Sequence, residues 1–221
     1  MYEIIRTIST RYKSKEAGMK INDRIECTGF PCSDIDKNNY MLPSADLDER
    51  EIRILMITEA PPMEKADYFY AAGDPAYLRT IVQVFRDAGQ DVSSMRDILN
   101  LGVYITTAVK CGKTAYAISP DTLKNCAVLL EREIALFPEI RVFMLMGDVA
   151  IKMMNDIWKK QTGKKIIPAG STYKIRGQQY FINDKRVFPS YTPAGQNFLI
   201  EKSKRKMVTE DVKAAMNCLK T

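Results

Sequence analysis

Four short apolar runs alternate with segments of helical periodicity, and this alternation constrains the fold more than any other feature of the 221-residue chain. The runs cover residues 52–57, 103–109, 142–146 and 186–191, about forty residues apart. Apolar runs rich in β-branched residues are typical of strands buried on both faces of a sheet. Strands that alternate with helices favour parallel pairing. The sequence therefore predicts a three-layer α/β/α fold around a mainly parallel four-stranded sheet.

Helical spacing of apolar residues predicts helices over 76–88, 122–137, 148–161 and 204–219, and another over 2–17 near the N-terminus. Asp121, which follows Pro120, is the predicted N-cap of the second of these helices. Residues 179–191 resemble a strand or hairpin. Residues 18–50 have weak periodicity, which indicates a structured loop. No linker or repeat divides the chain, so we expect one domain over 1–221, with the N-terminal helix and the loop up to residue 50 packed on it.

Composition excludes several kinds of chemistry and location. The chain has no histidine, which excludes a histidine triad, an imidazole acid or base, and a zinc site with histidine ligands. The formal charge of +6 is compatible with a nucleic-acid partner. No apolar run is long enough to span a bilayer and the N-terminus lacks a secretory signal, so we expect no membrane partner and a reducing, cytoplasmic location.

The five cysteines are the next informative feature. In a reducing compartment they are expected to be ligands or core residues rather than disulfides. Cys27, Cys32, Cys111 and Cys126 suit an iron–sulfur cluster or an all-cysteine zinc site. The lack of a C-x2-C pair makes zinc the less favoured metal. An alternative interpretation is that Cys111 and Cys126 are core residues and that the other two are incidental, while Cys218 packs within the last helix.

In open parallel sheets, ligands bind beyond the C-terminal ends of the strands. In this chain those ends are the segments 58–62, 107–111, 147–148 and 191–196. The functional pocket is therefore predicted to form from these four loops.

The same loops carry a resemblance to a known family. ITEAPP (57–62) is similar to a G-E-A-P-G loop, and VYITTAVKC (103–111) to a V-Y-I-T-N-x-V-K-C strand. The segment from Cys126 to Ala150 resembles a C-x3-L-x2-E-I…P…G-x2-A stretch, and FPSYTPA (188–194) an F-P-T-x-H-P-S loop. Together these segments resemble the uracil-DNA glycosylase superfamily, in particular its iron–sulfur, thermophile-type branch (family 4), over about residues 25 to 215.

The resemblance implies a DNA glycosylase-like protein that hydrolyses the N-glycosidic bond of a deaminated or damaged base in DNA repair. It implies Glu59 as the catalytic carboxylate, and a [4Fe-4S] cluster held by Cys27, Cys32, Cys111 and Cys126. The first cysteine pair is C-x4-C here, where the family has C-x2-C. The expected partner is DNA, double- or single-stranded, bound by a monomer. The implied base-binding residues are Thr58, Ala60, Thr107 and Thr192, and the implied DNA-binding residues are Gln196, Asn197, Phe198, Lys202, Lys204 and Arg205.

Two departures from the family pattern bear on activity. Thr107 stands where the family has a uracil-reading Asn, and a hydroxyl does not offer the paired donor and acceptor groups of an amide. Thr192 stands where the family has a His that stabilises charge on the departing base. We therefore expect an altered base preference. The alternative is a non-catalytic module on the same fold that binds nucleic acid or a nucleotide.

Overall fold

The computed structural model describes residues 20–115, 117–194 and 198–220. Its strands are β1 (Ile35–Asp36), β2 (Ile54–Thr58), β3 (Val103–Thr107), β4 (Gly112–Lys113), β5 (Val142–Met146), β6 (Tyr180–Ile182) and β7 (Lys185–Ser190). Its α-helices are α1 (Ala76–Asp87), α2 (Met95–Asn100), α3 (Pro120–Ile134), α4 (Asp148–Thr162), α5 (Thr172–Ile175) and α6 (Lys202–Asn217). The predicted helix over 2–17 lies outside the described residues.

The main sheet has five strands in the order β3-β2-β5-β7-β6. The first four are parallel, and β6 pairs antiparallel with β7. The predicted three-layer α/β/α fold with a mainly parallel sheet is confirmed, but the strand count of four was too low. The added edge strand has alternating burial, since Phe181 is exposed between the buried Tyr180 and Ile182. One face of an edge strand meets water, so its sequence lacks the continuous apolar run of the central strands.

Helices cover both faces of this sheet. The chain passes from β2 to β3 in one direction across the sheet and from β3 to β5 in the other. Because such crossovers are right-handed, the intervening helices fall on opposite faces. Accordingly, α1 packs against α2 and α6, and α3 packs against α4. Every residue of β2, β3 and β5 is buried, as strands between two helical layers require.

The start of α3 differs from the prediction. Ser119, not Asp121, is the N-cap, and its hydroxyl accepts a hydrogen bond from the Thr122 N–H at 3.2 Å. Pro120 is the first helical residue, where the missing N–H costs nothing. Asp121 therefore lies inside the first turn, where a negative charge favours the helix N-terminus.

The segment before β2 packs into the same core as the sheet. Ile21, Ile25, Ile35, Met41 and Leu47 are all buried in the one hydrophobic cluster that includes the central strands. The two-residue strands β1 and β4 pair antiparallel, which ties this segment to the chain after β3. None of the helices in the described part of the chain is both long and apolar enough to cross a bilayer.

Candidate active site and cysteine cavity

Three strand ends converge at Gly147, the residue that follows β5. Gly147 has φ 99°, a conformation that side chains disfavour. A Cβ at this position would collide with Thr192 Oγ1 and lie 2.7 Å from Glu59 Oε1. Glu59 follows β2 and Thr192 follows β7, so the structure brings together two residues that sequence reasoning assigned to one site. Glycine is required here because the two side chains fill the space that a Cβ would take.

Glu59 also has a cationic partner. Lys113 Nζ lies 3.4 Å from Glu59 Oε2, and the two side chains are 32% and 27% exposed. This ion pair is therefore open to solvent and accessible to a ligand. Sequence reasoning missed Lys113, because its position near Glu59 depends on the pairing of β1 with β4.

The hydroxyl of Thr192 is already committed to the protein. It donates a hydrogen bond to the Met146 carbonyl at 2.8 Å. Its loop is further held by Thr80, whose hydroxyl donates to the Pro193 carbonyl at 2.7 Å. A hydroxyl has one proton to donate, so in this arrangement Thr192 has none for a bound base.

The other predicted base-binding residues lie at the same strand ends but below the surface. Thr58 and Thr107 are register partners in β2 and β3. Thr58 is 1% exposed and donates to the Thr106 carbonyl at 3.2 Å, and Ala60 is also buried. The Thr107 hydroxyl is fully buried and has no hydrogen-bond partner among the described residues. The pairing continues past the strands through the Val109 N–H, which donates to the Glu59 carbonyl at 2.9 Å.

The aromatic residues after the first loop pack into the core. Tyr68 and Phe69 are 4% and 1% exposed. The Tyr70 hydroxyl donates to the Ile105 carbonyl at 2.8 Å. Tyr77, on α1, lies closer to the candidate site. Burial chiefly, with the charges of Asp67 and Glu59, raises the pKa of the Tyr77 phenol.

The four cysteines with predicted ligand roles line one cavity of about 230 Å³. Cys32, Cys111 and Cys126 are buried and Cys27 is partly exposed. The Asn125 side-chain amide donates to Cys32 Sγ at 3.6 Å. Within the described residues, no group of three or more His, Cys, Asp or Glu side chains is arranged to hold one metal ion. The thiols thus surround a space instead of meeting at one point.

The thiols nevertheless lie close enough to influence one another. Burial, followed by the neighbouring Cys126, Cys27 and Cys32 thiols, raises the pKa of Cys111 to about 12. Burial also raises the pKa of Cys126, against the opposing effect of the Lys110 backbone N–H. Four sulfur donors around one cavity match the ligand set of an iron–sulfur cluster, which carries several metal ions and holds its thiolates apart. The residues present therefore fit such a group.

A fully buried ion pair separates the cysteine cavity from the strand end at Thr107. Lys110 Nζ lies 2.5 Å from Glu133 Oε2, and both side chains are 0% exposed. Lys110 Nζ also donates to the Thr107 carbonyl at 2.5 Å and to Thr106 Oγ1 at 2.8 Å. Glu133 Oε1 accepts from the Tyr104 hydroxyl at 2.6 Å. One polar network thus joins Lys110 and Glu133 to the C-terminal end of β3.

The predicted DNA-binding residues have different environments. Gln196 and Asn197 lie outside the described residues. Phe198 is 5% exposed and packs in the core, so it is not presented for insertion into a duplex, whereas Leu199 and Ile200 are 37% and 75% exposed. Lys204 pairs with Glu201 at 2.6 Å, and Arg205 with Asp87 at 2.5 Å. Lys202, the first residue of α6, is exposed.

The fold is α/β/α, and the Glu59 carboxylate and Thr192 lie beside Gly147 beyond the C-terminal ends of the parallel strands. The family model of the uracil DNA glycosylase superfamily matches residues 45–215, and the chain belongs to this superfamily. It is accordingly a DNA glycosylase-like protein.

Two similar proteins illustrate the relationship. The type-5 uracil-DNA glycosylase of Thermus thermophilus is 25% identical over 159 residues, which cover 70% of this chain and 73% of that protein. The crystal structure of wild-type UNG from Nitratifractor salsuginis overlaps 76% of this chain and 75% of its own, with 14% identity and a TM-score of 0.37. The description of the fold therefore rests on the strand order given above and not on this overlap. The predicted membership of the superfamily and its thermophile-type branch is confirmed, although the Thermus relative has the type-5 name and not the family-4 name.

Gly147→Ala tests whether the convergence of strand ends matters. The backbone conformation alone costs an alanine about 1–3 kcal/mol. The collision with Glu59 and Thr192 adds to this cost, so the total loss of stability should exceed that of the backbone conformation alone. Urea unfolding measures the loss.

Gly163→Ala is the matched control. Gly163 also has positive φ, 79°, but a Cβ there meets nothing within 4 Å. We expect it to cost only the backbone conformation, about 1–2 kcal/mol of stability. Equal losses of stability in the two variants would contradict the prediction.

Proposed function

We propose that this protein is a DNA glycosylase that hydrolyses the N-glycosidic bond of a deaminated or damaged base in DNA, as a step of base excision repair. The observation that carries the proposal is the position of the Glu59 carboxylate. Its Oε1 atom lies 2.7 Å from the place that a Cβ of Gly147 would take, next to Thr192, and the side chain is 27% exposed. A carboxylate at this point can orient a water molecule and stabilise the cationic sugar that forms as the base departs.

The base preference is proposed to differ from that of enzymes with an amide at the base-reading position. Thr107 has a hydroxyl there, buried and without a partner among the described residues. A site built to hydrogen-bond a base edge loses much of its discrimination when that partner changes. The preferred substrate is then proposed to be a base other than uracil, such as hypoxanthine or xanthine.

A substrate panel tests the proposal. The full chain is incubated with single- and double-stranded oligonucleotides that carry uracil, hypoxanthine or xanthine, and abasic sites are then cleaved with alkali. Because a glycosylase must take its base out of the stack, we expect single strands or mismatched bases to react fastest. Excision of at least one base supports the proposal. Absence of abasic sites on every substrate contradicts it.

A second function is favoured by one specific observation. Thr192 replaces the family's His and its only proton is donated to the Met146 carbonyl, so this position has no donor left for a departing base. That arrangement suits a non-catalytic module that binds nucleic acid or a nucleotide. Salt-sensitive binding to the oligonucleotides of the panel, without any excision, would support this alternative.

We propose further that the cavity holds a [4Fe-4S] cluster through Cys27, Cys32, Cys111 and Cys126. In this position a cluster would join the segment before β1 to the chain after β3, which is a structural role. Zinc is the less suitable metal because the four cysteines include no C-x2-C pair. The partly exposed Cys27 gives the cavity an entrance from solvent.

Anaerobically purified protein is expected to be brown, to absorb near 400 nm (about this value for thiolate-bound iron–sulfur clusters) and to contain about four iron and four sulfide per chain. Serine at any of the four cysteines should lower the iron content and the stability together. Cys218→Ser, at the C-cap of α6 and outside the cavity, is the control and should leave both unchanged. Stoichiometric zinc without iron would contradict the prediction.

The proposed setting is the reducing cytoplasm, with DNA as partner and the monomer as the binding unit. For DNA contact, the exposed Lys202 supports the predicted role of the start of α6 better than Lys204 or Arg205, whose charges are already paired.

A further inference from the structure

A glycosylase must stabilise the negative charge that collects on the departing base. Among the strand-end residues that the structure describes, neither Thr192 nor Thr107 offers an accessible donor for it. The chain has no histidine. The Thr192 proton is donated to Met146, and the Thr107 hydroxyl is fully buried. The cation that does reach Glu59 is Lys113, at 3.4 Å. We propose that Lys113 is a catalytic residue that stabilises the departing base, an inference that rests on the proposed glycosylase function.

Lys113 is held in place by a small structure of its own. It lies on β4, where it is the register partner of Ile35 on β1. The preceding Gly112 allows close packing, since a Cβ there would lie 2.9 Å from Asn39 Cβ. The Asn39 amide in turn donates to the carbonyl of Met63, in the loop that follows Glu59. The lysine backbone and the Glu59 loop are thus fixed to each other.

The chemistry of the pair suits the reaction. An ammonium group has three protons to donate, and one contact with Glu59 leaves two for a ligand. As the bond between C1′ and the base nitrogen breaks, its electron pair goes to the base, and Lys113 donates a hydrogen bond to the oxygen where the charge develops. A water oxygen then bonds to C1′ and loses its proton to Glu59, and the base takes up a proton from solvent. The products are a free base and an abasic site.

This placement also gives the cysteine cavity a functional consequence. Cys111 directly precedes β4, and Cys32 lies three residues before β1. Lys113 therefore stands on the strand pair that joins the two halves of the cysteine-bearing segment. Anything that fixes these cysteines also fixes the position of the ammonium group relative to Glu59.

The test compares Lys113→Met and Lys113→Arg in single-turnover excision by the full chain. The substrates are oligonucleotides with uracil or with 5-fluorouracil, whose ring is the better leaving group; if only purines are excised, hypoxanthine and the more acidic xanthine replace them. Removal of a preorganised donor lowers the rate by about 10²–10³-fold. For Lys113→Met we expect this loss of rate on the poorer leaving group and a loss about tenfold smaller on the better one. For Lys113→Arg we expect a rate within about tenfold of wild type.

Lys185→Met is the matched control. Lys185 is 33% exposed, lies at the start of β7 and pairs with Asp184, with Nζ 3.8 Å from Oδ1. It should leave excision unchanged. If the wild type excises a base and Lys113→Met excises it at the same rate, the inference about Lys113 is overturned and the proposed function stands. An equal loss on both leaving groups also overturns it, because that result indicates a structural role. If the wild type excises no base, the proposed function fails, and the inference fails with it.

Discussion

Glu59→Gln is expected to lower base excision by about 10²–10⁴-fold, the range over which a positioned acid–base group contributes to catalysis. The amide has nearly the shape of the carboxylate, so the side chain can keep its place beside Gly147. The variant loses the negative charge and the ability to accept a proton from water. Single-turnover formation of abasic sites, measured on the best substrate of the panel, gives the rate ratio.

The stability of Glu59→Gln should remain close to that of the wild type. The ion pair with Lys113 is about one-third exposed, and such pairs contribute about 0–1 kcal/mol. A lower rate can therefore be separated from unfolding by urea denaturation of the same sample.

The same substitution at Glu64 provides the control for the Glu59 experiment. Glu64 is exposed on the same loop and its side chain makes no cap hydrogen bond. Glu64→Gln should leave excision unchanged. If Glu59→Gln turns over at the wild-type rate, Glu59 has no catalytic role.

The predictable part of the fold is the part in which local sequence and burial agree. The strands β2, β3 and β5 are buried along their whole length, so they read as continuous apolar runs whose order with the helices fixes a parallel sheet. The two-residue strands β1 and β4 had no readable signal, because periodicity needs several residues. The six-residue α2 was missed for the same reason, although its capping box of Ser94 and Asp97 is a sequence signature.

The convergence of Glu59 and Thr192 was predictable for a topological reason, since the C-terminal ends of parallel strands meet at one edge of a sheet. Which side chains are exposed at that edge was not predictable. Thr58 and Thr107 are register partners and both are buried, a result of strand pairing that the sequence does not display. The position of Lys113 depends on the β1–β4 pairing, so it could not be found before that pairing was known.

Lys110→Met is expected to cause the largest loss of stability of any substitution considered, about 3–5 kcal/mol, because it leaves Glu133 as an uncompensated buried charge. Both side chains are 0% exposed. The substitution also removes the donor that holds the Thr107 carbonyl at 2.5 Å. Equilibrium unfolding in urea measures the loss, with Lys185→Met as the control, because an exposed pair contributes only about 0–1 kcal/mol.

The double variant Lys110→Met with Glu133→Gln separates charge from packing. A neutral amide oxygen can still accept from the Tyr104 and Thr106 hydroxyls, which now donate to Glu133 Oε1 at 2.6 and 2.8 Å. Removing the charge along with its partner should therefore recover part of the stability lost in Lys110→Met. A double variant less stable than Lys110→Met would show that the hydrogen bonds, and not the unpaired charge, dominate. If Lys110→Met loses less than about 1 kcal/mol of stability, as an exposed pair would, the buried ion pair is not the main support of this strand end.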